Sequence, residues 1–184
     1  MIATLLLAVA QPQAPAPDCS YDLDAMLELD QQAFDQDPNG GWRPLAAKEG
    51  CEIAAGELIR AWRHEKRDNR SLLYWHEGQM RAFGGQTAEA VDLFQLTYKP
   101  PEFDHDFGWN YYVSGSVAFL LGDREHLGLM IEKLRAVEKP DDAPEDMTWP
   151  PNLNVLEAFD RCWGKTYAEA YGSQECRTPA EATD

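Results

Sequence analysis

The polar residues best placed for acid–base chemistry are His76 and Glu77, which are adjacent in the segment HEGQMR. On a helix they would share their surroundings with Gln79 and Arg81, so a general acid or base could lie beside a cation. Glu77 and Arg81 are also four residues apart, which is the spacing of an ordinary salt bridge along one helix. The sequence contains no HExxH, GxSxG or phosphate-binding glycine motif, and a base without a nucleophile or metal defines no reaction. We therefore predict no catalytic residue.

Two acidic segments could in principle hold a cation. Residues 35–40 alternate oxygen ligands and end in a glycine, as the first half of a calcium loop does, but Ala46 stands where the loop needs a glutamate and Pro38 interrupts it. Residues 102–106 combine three carboxylates with His105, a weak ligand set. A turn and a solvated linker are the simpler interpretations, and we predict no metal and no cofactor.

The four cysteines are typical of disulfides. Their number is even, and they do not form a CxxC pair or lie near histidines at zinc-finger spacing, so a structural zinc is disfavoured. Three connectivities are possible. We predict Cys19–Cys51 and Cys162–Cys176, because each pair closes a loop that a helical hairpin could bring together. The alternative is four reduced thiols in a cytosolic protein.

The N-terminal residues suggest export. Residues 2–10 (IATLLLAVA) are apolar and end in a small-x-small pattern, so residues 1–10 are predicted to be a signal peptide and the protein to be periplasmic or secreted. No Lys or Arg precedes the run, and the alternative is an apolar N-terminus of a cytoplasmic protein. Residues 11–18 form a Pro/Ala-rich spacer and residues 178–184 a polar tail. No run approaches the roughly 20 apolar residues that span a bilayer, so membrane insertion is not expected.

The charge excludes two classes of partner. The 184 residues carry 32 acidic and 16 basic side chains, a formal net charge of −16, which repels nucleic acids and anionic membranes. With 44% hydrophobic residues and six tryptophans, the chain can bury a core, and we predict one domain over residues 19–177. The acidity is uneven, since residues 18–37 and 141–146 contain acids and no base, while five basic residues lie between 60 and 70.

Apolar residues recur at helical spacing along the chain, and alternating β-branched runs are missing. This pattern predicts an all-α fold. The first hairpin is expected at about residues 22–67, as one helix from Asp22 to Phe34, a turn at residues 37–41, and a second helix that begins near Pro44.

The middle of the chain repeats itself with an offset of 37 residues. Three positions show the repeat: Tyr74, Gly78 and Gly85 recur as Tyr111, Gly115 and Gly122. Each copy has the pattern of a helix, a glycine turn and a second helix, followed by a proline-containing break. We predict hairpins at about residues 71–101 and 108–140, and a partial third copy at about 152–172.

These residues resemble the tetratricopeptide-repeat family, in which an aromatic residue and a glycine mark the first helix and an alanine and an aromatic mark the second. The matches are Tyr74, Gly78, Ala90 and Phe94 in the first copy and Tyr111, Gly115, Ala118 and Gly122 in the second. Glu77 and Ser114 stand where the family has leucine, and Arg81 replaces an aromatic. The resemblance implies antiparallel hairpins stacked as a short superhelix of about 7–8 helices. The alternative is an unrelated helical bundle with ordinary glycine turns.

The resemblance also implies a concave face, formed by the first helix of each hairpin, where a partner binds. The residues predicted to line it are Trp75, Gln79, Ala82, Tyr112, Ser116 and Phe119. Their aromatic and amide groups suit an extended peptide or a helix. Several of them could equally belong to the core, because aromatic residues at helical spacing are often packing residues.

The expected function is therefore that of a noncatalytic, exported scaffold which binds a protein or peptide through its concave face. A second possibility is an acidic inhibitor or immunity-like protein that docks on a basic partner through its surface charge. A third is an extracytoplasmic hydrolase that uses His76 and Glu77.

Overall fold

The computed structural model describes residues 16–104 and 107–178, and all the regular structure in these ranges is helical. The predicted all-α class is confirmed. The α-helices are α1 (Leu23–Glu28), α2 (Arg43–Ala46), α3 (Glu52–Lys66), α4 (Ser71–Phe83), α5 (Thr87–Gln95), α6 (Trp109–Leu121), α7 (Arg124–Arg135), α8 (Leu153–Arg161), α9 (Tyr167–Gly172) and α10 (Gln174–Arg177). A π-helical turn covers Gln32–Gln36 and a 3₁₀ turn covers Pro101–Phe103. The predicted signal peptide, most of the spacer and tail, and His105 and Asp106 lie outside the described residues.

The N-terminal hairpin is more broken than its hydrophobic pattern predicts. The Asp22 carboxylate accepts a hydrogen bond from the Ala25 N–H and so begins α1. Asp30 accepts one from the Ala33 N–H at 2.9 Å, which begins a separate π-helical turn. The prediction of a single helix over residues 22–34 is therefore wrong, because Asp30 caps a second, separate helical turn. The second expected helix is also divided, since Gly50 has a φ of +81° between α2 and α3.

A disulfide and two aromatic rings hold this N-terminal part together. Cys19 and Cys51 are bonded as predicted, which joins the segment before α1 to the start of α3. Phe34 stacks on Trp62 of α3 with ring centroids 4.6 Å apart. The indole N–H of Trp62 donates to the Leu29 carbonyl at 3.2 Å. The short first segment is thus fixed to α3 without a long helix of its own.

The two predicted repeat copies are helical hairpins. Helix α4 packs against α5, and α6 packs against α7. The turns fall at Gly85 and Gly122, whose φ values of +79° and +74° favour glycine. Asp123 caps α7 by accepting a hydrogen bond from the His126 N–H. Both turns agree with the sequence analysis.

The C-terminal helices fold back on the repeats. Cys162 and Cys176 are bonded as predicted, so α10 is tied to the end of α8. Between them, Thr166 and Glu169 form a capping box that begins α9. Helix α9 packs against α4 as well as against its neighbours α8 and α10. The contact between α9 and α4 therefore brings the C-terminal part of the chain back against the first repeat copy.

The described part of the chain contains ten α-helical segments, more than the 7–8 expected. The difference comes from four segments of four to six residues, α1, α2, α9 and α10. Such short segments have little periodicity for a sequence pattern to reveal. None of the helices described is long and apolar enough to cross a membrane.

The repeat glycines allow a prediction about packing. A Cβ at Gly78 would lie 2.7 Å from the Phe94 ring, whereas one at Gly128 on α7 would meet nothing within 4 Å. Gly128→Ala should stabilise the protein by about 0.5–1 kcal/mol through helix propensity. Gly78→Ala should be net destabilising, because overpacking costs about 1–3 kcal/mol. Urea unfolding of the two variants measures this contrast, and equal shifts of the same sign would contradict the close approach of α4 and α5.

Candidate functional site

The residues predicted to line a concave binding face are buried. Each is 9% exposed or less. They are Trp75, Gln79, Ala82, Tyr112, Ser116 and Phe119. In this structure they belong to the core, and their contact with a partner stays a prediction. The alternative interpretation of these residues, as packing residues, agrees with their positions.

Helix α9 covers this face. The ring of Tyr167 lies 5.3 Å from that of Phe83 and 6.3 Å from that of Phe119. The next turn adds Tyr171, whose ring is 5.2 Å from Phe83. Burial raises the pKa of Tyr167 far above its ordinary value. Its buried phenol therefore resists ionisation, and the ring acts as a packing group.

The covering segment is held at both ends. The disulfide between Cys162 and Cys176 spans it. Arg161 donates from Nε to the Cys176 carbonyl at 2.8 Å and from Nη2 to the Arg177 carbonyl at 3.3 Å. A partner could reach the face beneath α9 only after these contacts had separated.

Glu77 lies in a buried charge network. Arg63 of α3 donates from Nη2 to Glu77 Oε2 at 2.5 Å and from Nε to the same oxygen at 3.1 Å. Arg81 approaches Glu77 Oε1 at 3.4 Å and Glu57 Oε1 at 2.7 Å. Arg63, Glu77 and Arg81 are all nearly fully buried. Glu77 and Arg81 have the spacing of a salt bridge along one helix. In the structure this pair is part of a network that joins α3 to α4.

His76 belongs to a different cluster. Its Nδ1 lies 2.7 Å from Asp35 Oδ1, and the indole N–H of Trp42 donates to the same oxygen at 3.0 Å. Asp35 is fully buried in the π-helical turn. His76 and Glu77 therefore contact different partners. The hydrolase hypothesis requires the two side chains to converge on one point, and in this structure they do not. Asp35 also points inward, so it is not presented with the other oxygens of a calcium loop.

Sequence reasoning missed two of these contacts. Asp35 and His76 lie 41 residues apart, and no local pattern connects them. Ser114 Oγ lies 2.8 Å from His126 Nε2, a bond that joins α6 to α7. The repeat alignment carried a signal for this pair, because Ser114 departs from the family pattern and His126 falls within the same copy. Its partial burial in the hairpin fits a structural hydrogen bond.

Exposed apolar side chains gather instead on the two loops at the start of α6 and before α8. We call this the loop surface; it comprises the exposed side chains of residues 96–104, 107 and 137–149. Phe103 is 70% exposed. The rings of Phe107 and Trp149 are 5.7 Å apart, which brings the two loops together. The exposed large apolar members are Leu96, Tyr98, Phe103, Phe107 and Met147.

Hydrogen bonds join the first loop to α6 and connect the two ends of the second loop. Asn110 of α6 bonds to both the N–H and the carbonyl of Lys99, at 2.9 and 2.8 Å, and its own N–H donates to Asp104. The Trp109 indole donates to the Thr97 carbonyl at 2.8 Å. In the second loop, the indole of Trp149 donates to the Val137 carbonyl at 2.8 Å. The apolar side chains of the loop surface are thus carried by an anchored backbone.

Comparisons with known proteins give no relative. No family model matches the chain, and no curated protein or solved structure matches it significantly. The tetratricopeptide resemblance therefore remains an interpretation of the residues.

The buried network predicts an unequal response to charge removal. Glu77→Gln leaves Arg63 and Arg81 without their shared carboxylate and should destabilise the protein by about 3 kcal/mol or more. Glu132→Gln, which removes an exposed partner of Arg135, should cost less than about 1 kcal/mol. Urea unfolding at neutral pH measures both, and a Glu77 effect as small as that of Glu132 would contradict the network.

The Asp35 cluster predicts an acid-sensitive contribution to stability. Burial acts to raise the pKa of Asp35, but the hydrogen bond and charge of His76, with hydrogen bonds from Trp42 and Gln36, outweigh it and lower the pKa. Asp35 should therefore stabilise the fold above its unfolded pKa of about 3.9, and that contribution should disappear as the pH falls through the lower folded value.

Urea unfolding of the wild type and of Asp35→Asn between pH 7 and pH 2 tests this contribution. The difference in stability between them should be largest above about pH 4 and should shrink below it. Asp24→Asn, at an exposed site on α1, controls for the charge change. A difference that stays constant over the whole range would contradict the account of Asp35.

Proposed function

We propose that this protein is a noncatalytic binding protein that engages another protein through the loop surface. The observation that carries the proposal is the exposure of Phe103 and Phe107 on the first loop, together with the contact between Phe107 and Trp149 that joins this loop to the second. Clustered exposed apolar side chains often mark interaction sites. Aromatic side chains also commonly supply the largest contributions to protein interfaces.

The environment of these loops supports recognition by a fixed surface. Trp109 and Trp149 are half-buried, and their indole N–H groups donate to the carbonyls of Thr97 and Val137. Asn110 closes the first loop through both of its side-chain polar atoms. A loop that is ordered before binding loses less conformational entropy when a partner docks, which favours affinity.

A location in an oxidising compartment accompanies this proposal. The two disulfides are typical of such compartments. They agree with the periplasmic or secreted location suggested by the apolar residues 2–10. A partner would then be an extracytoplasmic protein.

The concave face is a less favoured binding surface. A partner there would have to replace Tyr167 and Tyr171, which already pack against Phe83. It would also have to separate the contacts of Arg161 with the end of the chain. The loop surface needs no such rearrangement.

Substitution of Phe103 tests the proposal. Phe103→Ser should reduce capture of a partner by the immobilised full chain at least tenfold, because a central apolar contact is lost. Leu121→Ser is the matched control, since Leu121 is 63% exposed at the other end of α6. Extracellular or periplasmic extract from the source cell supplies the partner, and quantitative mass spectrometry measures its recovery.

Circular dichroism should show that both variants keep the wild-type helix content. If Phe103→Ser and Leu121→Ser capture the same proteins in the same amounts as the wild type, the loop surface is not the binding site.

A further inference from the structure

We infer that the partner of the loop surface presents basic side chains around an apolar centre. This inference rests on the proposed function and adds the chemistry of the partner. It follows from the carboxylates beside the exposed aromatic residues. Residues 138–146 (EKPDDAPED) contain five acids and one lysine.

The carboxylates of this segment are unopposed. Among the described residues, the side chains of Asp141, Asp142, Glu145 and Asp146 take part in no hydrogen bond or ion pair, and all four are exposed. The lysine of the segment, Lys139, donates to the carbonyls of Pro144 and Glu145 at 2.8 and 3.4 Å. It therefore holds the loop backbone and leaves the four carboxylates for a partner.

The first loop has a similar distribution. Glu102 is exposed next to Phe103, and it forms no ion pair within the described residues. The ammonium of Lys99 lies 5.6 Å from the centre of the Trp109 ring, where a cation–π contact engages it. Lys99 and Lys139 thus contact groups of the protein itself, while Glu102 and the four carboxylates of the second loop are exposed.

The other acidic segment, residues 18–37, serves a different purpose. Four of its aspartates accept hydrogen bonds from backbone N–H groups at turns and helix starts, and a fifth, Asp35, is buried. The four are Asp18, Asp22, Asp30 and Asp37. Because these carboxylates already stabilise local structure, charge alone does not make this segment the docking site.

Exposed apolar side chains and unpaired carboxylates on the same two joined loops favour a complementary partner. Opposite charge around the contact speeds encounter and excludes acidic competitors, while buried aromatic contacts slow dissociation. The affinity should accordingly fall with ionic strength, since exposed charges are screened by salt. A partner that is apolar but not basic would bind with little salt dependence.

Three labelled twelve-residue peptides serve as probes of this chemistry. One alternates lysine with leucine, one alternates lysine with serine, and one alternates glutamate with leucine. Fluorescence anisotropy with the full chain should show the tightest binding for the lysine–leucine peptide. Raising the salt from 50 to 300 mM should weaken that binding about tenfold or more.

Two variants with the same change in net charge locate the effect. The first carries Asp141→Asn, Asp142→Asn, Glu145→Gln and Asp146→Asn. The second carries Asp24→Asn, Glu28→Gln, Glu49→Gln and Glu65→Gln, at exposed sites elsewhere. The first variant should weaken binding of the lysine–leucine peptide at least tenfold, and the second should weaken it less than threefold.

Equal weakening by the two variants would overturn the inference, because net charge rather than the loop surface would then govern binding. Equal binding of the lysine–leucine and glutamate–leucine peptides would also overturn it. Either result leaves the proposed function standing if Phe103→Ser still abolishes partner capture. If the proposed function itself is wrong, Phe103→Ser will capture the same proteins in the same amounts as the wild type.

Discussion

The packing of Tyr167 is the contact on which the rest of the fold depends. Its ring touches aromatic rings from four helices: Phe83 of α4, Phe94 of α5, Phe119 of α6 and Phe159 of α8. A stack of helical hairpins leaves an apolar inner face that must be covered by something. Here a six-residue helix of the same chain covers it, and the disulfide between Cys162 and Cys176 keeps that helix in place. Under the proposed function, the loops at the ends of the hairpins bind the partner, since α9 already covers the inner face.

The departures from the repeat pattern are compensated within the protein. Glu77 and Arg81 replace apolar residues of the pattern, and the Glu77 carboxylate pairs with Arg81 and with Arg63 of α3. Ser114 replaces another apolar residue of the pattern, and its hydroxyl forms a hydrogen bond with His126. Buried charges are costly unless they are paired, so these residues constrain which hairpins can be neighbours. They contribute to the specificity of packing.

The sequence predicted features that depend on local spacing. Helical periodicity, the turns at Gly85 and Gly122 and both disulfides follow from such patterns. The burial of Tyr112 and Phe119 beneath α9 could not be predicted in this way, because a helix of six residues carries almost no periodic signal and packs on α4 across a long stretch of chain. The Asp35–His76 contact also joins distant segments. The loop surface could not be predicted from the sequence, because the exposure of a side chain is a property of the folded chain.

Hydrogen–deuterium exchange of the full chain, with and without the lysine–leucine peptide, tests the central claim most directly. Slower exchange of the amides in residues 96–104 and 137–149, with α9 and the inner faces of α4 and α6 unchanged, is the predicted result. Such a pattern places the partner on the loop surface while Tyr167 stays in position. Slower exchange in residues 75–82 and 112–119 together with faster exchange in α9 would contradict the account, because the partner would then have displaced the covering helix.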